Sequence, residues 1–251
     1  MTERVAVVTG AAGTIGQGVV ENLLEHGRKV VLVDRDEARL AKAKDRFARQ
    51  GEMMAVVVDL LEEGAPALVA SSIEENGWQP ATIVVNNAAI TVKHEGRSHD
   101  ILEMSLDEWN LVHRINITAP MLMARQFLPG MVVQKWGRIV NISSRAGRYN
   151  PHQAGPSYAT TKAAVLGLSR SIANDFSKHG ITCNSVAPGL VMSDMTGQLT
   201  PQLLEALVAR TPVGRGGSAR ELGAAIAFLA SEDAGFITGT CLDVNGGQSM
   251  S

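Results

Sequence analysis

Short apolar runs alternate along the chain with longer segments in which apolar residues recur at helical spacing. Seven apolar runs, each bounded by turn residues, predict strands over residues 5–9, 29–33, 53–58, 82–86, 138–143, 182–187 and 240–244. The helical spacing predicts helices over residues 17–25, 37–49, 106–128, 157–178 and 219–231. Strands that are apolar throughout are buried on both faces, so the alternation predicts an α/β fold: a doubly wound, parallel, seven-stranded sheet with helices on both faces.

Composition narrows the class of protein. The chain has 251 residues, 45% of them hydrophobic, and no repeat or linker divides it, which predicts a single domain over residues 1–251. A net charge of −2 gives no basic excess, so we expect neither nucleic acid nor a membrane surface as a partner. The apolar run after the N-terminus is too short for a signal peptide or a membrane span, and a cytoplasmic location follows by default. Cys183 and Cys241 are expected to be reduced core residues.

Two stretches interrupt the regular alternation. Residues 91–105 carry mixed charges and histidines, and residues 190–217 contain prolines and several glycines. Ligands of open α/β sheets bind beyond the carboxyl ends of the strands, where these connections lie. We therefore expect 190–217 to be the loop that closes on the substrate. His94 and His99 are five residues apart without a recognisable third ligand, so no metal site is predicted.

The first strand leads into a glycine-rich turn, Thr9-Gly10-Ala11-Ala12-Gly13-Thr14-Ile15-Gly16, and then a helix. Such a turn brings a pyrophosphate to a helix N-terminus, where unpaired N–H groups and the helix dipole favour an anion. Asp34 ends the second strand at the spacing expected for a carboxylate that binds the adenosine ribose hydroxyls. Its charge would repel a 2′-phosphate, so NAD is expected and NADP is less favoured, although the neighbouring Arg35 would suit NADP.

Tyr158 has a lysine four residues later, Lys162, on a predicted helix. That spacing places both side chains on one face, and a nearby ammonium would lower the tyrosine pKa toward the working pH, as acid/base catalysis requires. A surface pair on an amphipathic helix has the same spacing.

In its order of motifs the chain resembles the short-chain dehydrogenase/reductase family over nearly its whole length, on a Rossmann-type fold. The motifs are the glycine turn, Asp59-Leu60 after the third strand, Asn86-Asn87-Ala88-Ala89 after the fourth, Asn116 in the next helix, Ser144 after the fifth strand, Tyr158 with Lys162, and Pro188-Gly189-Leu190-Val191-Met192-Ser193. Thr14 stands where the family usually has a glycine, which puts cofactor affinity in doubt. Ala89 and Ser193 replace a glycine and a threonine of the family pattern.

The resemblance implies a role for each motif. Tyr158 would exchange a proton with the substrate oxygen, Ser144 would hydrogen-bond that oxygen, and Lys162 would hold the nicotinamide ribose. Asn116 would hold a water of a proton relay. The remaining implied cofactor contacts are Gly10, Thr14, Ile15, Gly16, Asp34, Asp59, Leu60, Asn86, Ala88, Val191 and Ser193. Two alternatives stay open: Asn116 satisfies backbone groups in the interior, or Ser143 takes the place of Ser144.

Three functions are compatible with these residues. The first is an NAD-dependent oxidoreductase that interconverts a secondary alcohol (a sugar, polyol or hydroxy acid) and its ketone. The second is an NADPH-dependent ketoreductase of the 3-oxoacyl-carrier-protein type, and the third is a non-enzymatic nucleotide-binding protein. The first is preferred because of Asp34, and the family also implies a homotetramer. Candidate substrate contacts follow Ala89, Ser144 and Pro188: Thr91, Lys93, His94, Glu95, Arg97, His99, Arg145, Arg148, Tyr149, Asn150, His152, Met192 and Met195.

Overall fold

The computed structural model describes residues 3–149, 154–193 and 200–250. Its strands are β1 (Val5–Thr9), β2 (Lys29–Asp34), β3 (Met53–Val57), β4 (Ile83–Asn86), β5 (Gly137–Ile142), β6 (Ile181–Pro188) and β7 (Cys241–Val244). All neighbouring strands pair in parallel, in the order β3-β2-β1-β4-β5-β6-β7. The predicted doubly wound, seven-stranded sheet is therefore confirmed, and each predicted strand lies within one residue of its position.

The α-helices of the described residues are α1 (Thr14–Glu25), α2 (Glu37–Phe47), α3 (Ala65–Glu75), α4 (Leu106–His113), α5 (Ala119–Gln134), α6 (Arg145–Arg148), α7 (Pro156–Phe176), α8 (Pro201–Ala209) and α9 (Ala219–Leu229). The sequence analysis missed α3, α6 and α8. Among the described residues, no helix is long and apolar enough to cross a bilayer.

The helix predicted over 106–128 differs most from the prediction. A π-helical segment, Arg114–Thr118, separates α4 from α5, and α5 then continues past Pro129 to Gln134. A proline inside a helix removes one hydrogen bond. The helix continues because Phe127, Leu128 and Met131, on both sides of the proline, are buried in the core.

The strands contribute side chains to two hydrophobic layers, one on each face of the sheet. In β1, Ala6 and Val8 belong to one buried cluster, and Val5 and Val7 to the other. Successive side chains of a strand point to opposite faces, so a strand covered on both sides is apolar at most of its positions. The two layers cover the faces of the sheet. Polar groups collect at the edge of the sheet that is formed by the carboxyl ends of the strands.

Candidate active site

A cavity of about 820 Å³ opens beyond the carboxyl ends of the central strands. Its walls include the glycine turn after β1, the end of β2, the segments after β4 and β5, the start of α7 and residues 188–191. The strand order reverses between β1 and β4, because β2 and β3 lie on one side of β1 and β4 to β7 on the other. A topological switch point of this kind is where doubly wound sheets bind their ligands.

The glycine turn needs two of its glycines for close backbone contact. Gly10 has φ of +63°, and a Cβ there would lie 2.9 Å from the Cα of Ala88. A Cβ on Gly16 would lie 2.2 Å from the carbonyl oxygen of Gly10. Gly13 caps α1 without a side chain to bond the first N–H groups of the helix, and residues 13–16 line the cavity at this helix N-terminus. The turn therefore fits a pyrophosphate even with Thr14 as the first residue of α1.

Thr9 and Asn87 tie this turn to the end of β4. The Thr9 hydroxyl accepts hydrogen bonds from the backbone N–H groups of Asn87 and Ala88, both at 3.1 Å. The Asn87 side chain donates to the carbonyl oxygens of Thr9 and Gly10 at 2.9 and 3.0 Å. Asn87 is a residue that the sequence analysis did not single out, although it lies inside the quoted Asn-Asn-Ala-Ala motif.

Asn86, by contrast, was predicted to contact the cofactor and does not line the cavity. It is buried, and its side-chain amide donates to the Oδ1 of Asn141 at 2.7 Å. Successive side chains of a strand point to opposite faces of the sheet, which explains the difference. Asn86 is the last residue of β4, and its side chain is buried beside Asn141. Asn87 follows the end of the strand, and its side chain bonds the glycine turn. The structure thus replaces Asn86 by Asn87 at the cavity wall.

The Asp34 carboxylate lies where the end of β2 lines the cavity, and it is hydrogen-bonded within the protein. Its Oδ2 accepts from the N–H of Ala12 at 3.0 Å, and its Oδ1 accepts from the N–H of Asp36 at 3.2 Å. Arg35 and Arg39 also line the cavity. Asp34 therefore shares the cavity wall with two arginines.

Tyr158, Ser144 and Lys162 meet at the wall of the cavity. Tyr158 shares a side-chain hydrogen bond with Ser144, and the Nζ of Lys162 lies 5.6 Å from the centre of the tyrosine ring. Ser144 also caps the short helix α6 by accepting from the N–H of Ala146. Ser143 is buried and donates to the backbone carbonyl of Lys162 at 2.6 Å, so Ser144 is the serine that faces Tyr158.

The pKa of Tyr158 shifts in the direction opposite to the prediction. Burial raises the pKa of its hydroxyl, because the phenolate loses solvation, and the hydrogen bond with Ser144 acts against this rise. The ammonium of Lys162 does not offset it. Instead, Lys162 donates to the backbone carbonyl of Ile142 at 2.6 Å. In the protein alone, Tyr158 is therefore a phenol and not a phenolate near neutral pH.

Burial also lowers the pKa of Lys162, to about 8 from its ordinary value of 10.5. Between these two values the unfolded chain binds more protons than the folded chain, so the free energy of unfolding should rise with pH across this window, by at most ~1.4 kcal/mol per pH unit. Lys162→Met lacks this titration. We expect its stability advantage over the wild type to be largest below pH 8 and to shrink as pH approaches 10, measured by urea unfolding. Lys178→Met, at an exposed lysine, should show no such trend.

Asn116 does not line the cavity. Its side chain accepts from the N–H of Ile90 at 2.8 Å, donates to the carbonyl of Ile90 at 2.9 Å and donates to the hydroxyl of Thr161 at 3.2 Å. It therefore satisfies backbone groups in the interior, which is the structural alternative given above. It also fixes the segment after β4 against α7.

The remaining predicted residues are cofactor contacts and substrate contacts. Apart from Asn86, all of the remaining predicted cofactor contacts line the cavity: Gly10, Thr14, Ile15, Gly16, Asp34, Asp59, Leu60, Ala88, Val191 and Ser193. Of the predicted substrate contacts, Thr91 and Lys93 also line it. Arg148 and Tyr149 do not, because both bind the carboxylate of Asp243. Asn150, His152 and Met195 lie outside the described residues, as does part of the loop 190–217, whose ends are joined where Val191 pairs with Gly217.

The histidines of residues 91–105 have a third potential ligand after all. Glu108, in the first turn of α4, lies beside both His94 and His99. The prediction that no third ligand is in reach was wrong, because the fold returns α4 to the loop that precedes it.

Comparisons with known proteins agree with this arrangement. A family model described as "Enoyl-(Acyl carrier protein) reductase" matches residues 10–249. The chain is 38% identical over 248 residues to 3-oxoacyl-[acyl-carrier-protein] reductase of Vibrio cholerae, covering 98% of each protein. Two crystal structures of 3-oxoacyl-[acyl-carrier protein] reductase from Brucella melitensis, one with bound NAD, are 31% identical with TM-scores of 0.93 and 0.91, covering 99% of this chain and 92% of each of those.

These findings bear on two predictions. The names of the curated relatives and of the two Brucella structures fit the ketoreductase alternative, for which NADPH was expected, better than the preferred oxidoreductase of sugars, polyols or hydroxy acids. The prediction of NAD over NADP is therefore wrong: the relatives favour NADP, although one similar structure holds NAD. The prediction weighed Asp34 against Arg35 alone, whereas the fold also gives Asp34 backbone donors and brings Arg39 to the cavity wall.

One conclusion follows from the motif order, the parallel sheet, the cavity at its switch point and the matches over nearly the entire chain. The protein is an oxidoreductase that belongs to the short-chain dehydrogenase/reductase family.

Proposed function

We propose that the protein is an NADP(H)-dependent ketoreductase that reduces the 3-oxo group of an acyl chain carried as a thioester on an acyl carrier protein. The observation that carries the proposal is the hydrogen-bonded pair of Tyr158 and Ser144 at the wall of a cavity that also contains the glycine turn. The proton donor and the dinucleotide cradle thus share one space. The names of the relatives supply the substrate class.

When bound, the cofactor supplies a hydride to the carbonyl carbon. Tyr158 then donates its phenolic proton to the carbonyl oxygen, so that the carbon gains a hydride, the oxygen gains a proton and the product is an alcohol. The raised pKa of Tyr158 suits this direction, because the residue must be protonated to act as an acid. Ser144 donates a hydrogen bond to the same oxygen, and water returns a proton to Tyr158.

Lys162 and the residues around it position this pair. We assign Lys162 to the nicotinamide ribose hydroxyls, since its ammonium lies at the cavity wall one helical turn beyond Tyr158. Asn116 acts as a positioning residue, through its bonds to Ile90 and Thr161. The relay of protons through a water at Asn116 stays a prediction.

The adenosine end of the cavity fits a 2′-phosphate through its two arginines. Arg35 and Arg39 line the cavity beside Asp34, and guanidinium groups bind phosphates through several N–H donors. The Asp34 carboxylate opposes the phosphate, but its bonds to Ala12 and Asp36 hold it in place and stabilise its charge.

Steady-state kinetics test the proposal directly. We expect the wild type to reduce acetoacetyl groups carried on an acyl carrier protein, with a higher kcat/KM for NADPH than for NADH. No turnover of the 3-oxoacyl thioester, or an equal or higher kcat/KM with NADH, would overturn it.

A matched pair of arginine variants separates phosphate recognition from general loss of positive charge. Arg35→Ser should lower kcat/KM for NADPH by about tenfold or more and change that for NADH little, as expected for the loss of a charge-assisted hydrogen bond. Arg49→Ser removes an exposed arginine outside the cavity and should leave both values unchanged. Equal losses with both cofactors in Arg35→Ser would contradict the assignment.

The assembly and the location follow from the family and not from the described residues. We propose a homotetramer, and exposed apolar side chains near β7, Phe236 and Leu242, are suited to an interface. The cytoplasmic location stays a prediction.

A further inference from the structure

We propose that His94, His99 and Glu108 bind a divalent transition-metal ion of the zinc class. One potential ligand atom from each of the three residues lies within 4.8 Å of the other two. The His94 Nε2 is 2.9 Å, and the His99 Nδ1 is 3.3 Å, from the same Glu108 oxygen, Oε2. Two imidazole nitrogens and one carboxylate oxygen are a ligand set that zinc uses when a water fills the fourth position.

The burial of these atoms favours an ion at this place. Only 9% of the Glu108 side chain and 24% of the His99 side chain are exposed. The His99 Nδ1 is fully enclosed and has no hydrogen-bond partner, although Glu108 lies beside it. A buried polar atom without a partner costs free energy, and a metal ion would satisfy both this nitrogen and the carboxylate.

The packing of the two rings holds both imidazoles next to one carboxylate. His94 and His99 are stacked with ring centroids 3.4 Å apart and planes within 4° of parallel. The three potential ligands therefore already lie together, and an ion between them requires a change in the orientation of one ring.

Binding requires a modest movement of one ring. Ligands of a tetrahedral zinc ion lie about 3.3 Å apart, given bonds of about 2.0 Å, and each ring plane must point at the ion. His94 is the residue whose ring is able to rotate, because 41% of its side chain is exposed. Its backbone pairs with that of Arg97 across a tight turn. His99 and Glu108 are the more enclosed pair and form the fixed part of the site.

The site would join the segment after β4 to α4 beside the cavity. Lys93, which precedes His94, lines the cavity and donates to the hydroxyl of Ser98 at 3.0 Å. Ser98 in turn packs against Gly155, just before α7, where a Cβ on the glycine would lie 2.7 Å from that of the serine. A metal at these three residues thus stabilises the part of the cavity wall that Lys93 lines without entering the cavity.

Titration calorimetry with zinc chloride tests the proposal, using a chain without a polyhistidine tag and without dinucleotide or substrate. We expect one zinc ion per chain at pH 7.5 with micromolar or tighter affinity, and a rise in Tm. The affinity should weaken at pH 5.5, where protons compete for the imidazoles. The absence of stoichiometric binding at pH 7.5 would overturn the proposal, whatever the outcome of the ketoreductase assays.

Variants locate the ion. His94→Gln, His99→Gln and Glu108→Gln should each weaken zinc binding by at least about tenfold, whereas His26→Gln, at a histidine of the α1 C-terminus, should not. If a variant does not fold, cobalt(II) on the wild type reports the ligand atoms instead: we expect absorption bands of a nitrogen/oxygen site without a thiolate charge-transfer band. A thiolate band would place the ion at a cysteine and overturn the proposal.

Discussion

Replacing Tyr158 by phenylalanine should abolish nearly all turnover, lowering kcat/KM by a factor of about 10² to 10⁴, the usual contribution of a positioned general acid. The phenyl ring keeps the packing of the side chain and removes only the hydroxyl that meets Ser144. Dinucleotide binding, measured by the quenching of protein fluorescence, should be retained, because the glycine turn and the end of β2 are not altered.

The other tyrosine of the chain is the matched control. Tyr149 donates its hydroxyl to Asp243 and does not line the cavity. Tyr149→Phe should therefore leave kcat/KM within about twofold of the wild type, a change of less than 0.5 kcal/mol in activation free energy. Unchanged turnover in Tyr158→Phe, or equal losses in the two variants, would refute the assignment of the acid.

Gly147→Ala should destabilise the fold and reduce activity, because α6 touches α7 through this glycine. A Cβ at residue 147 would lie 2.4 Å from the carbonyl carbon of Lys162 and 2.6 Å from the nitrogen of Ala163. Both are backbone atoms of the helix that carries Lys162, so the two helices must separate. We expect a loss of about 1–3 kcal/mol in the free energy of unfolding, as for other overpacked sites, measured by urea unfolding. A lower kcat should accompany it, since Ser144 lies at the start of α6.

Gly167→Ala tests the same chemical change without the contact. Gly167 lies in α7, and a Cβ there would have no neighbouring atom within 4 Å. Alanine reduces the freedom of the unfolded chain, so this variant should be more stable by about 0.4–1 kcal/mol. If Gly147→Ala were as stable as Gly167→Ala, the contact between α6 and α7 would not have the importance assigned to it.

The prediction of the cofactor was wrong because it relied on a sequence motif whose surroundings in the fold were unknown. Asp34 at the end of β2 matched the pattern for a ribose-binding carboxylate. The fold adds hydrogen bonds from Ala12 and Asp36 and places Arg35 and Arg39 on the same wall. Because Arg39 comes from α2, its proximity depends on how that helix packs against β2, which no local spacing encodes.

The sequence by itself determined the fold class and the order of the strands along the chain, because a strand buried on both faces is predominantly apolar. It also singled out Tyr158, Lys162 and Ser144, which the structure brings to one cavity, since the helical spacing of the first two and the position of the third after β5 are local properties.

Tertiary structure alone decided which neighbours these residues meet. It placed Asn87 at the cavity wall in place of Asn86, paired Asn116 with Ile90, and raised the pKa of Tyr158 through burial. It also brought Glu108 to His94 and His99. Hydrogen bonds, desolvation and metal ligation act over a few ångströms in space, and residues far apart in sequence come within that range only when the chain is folded.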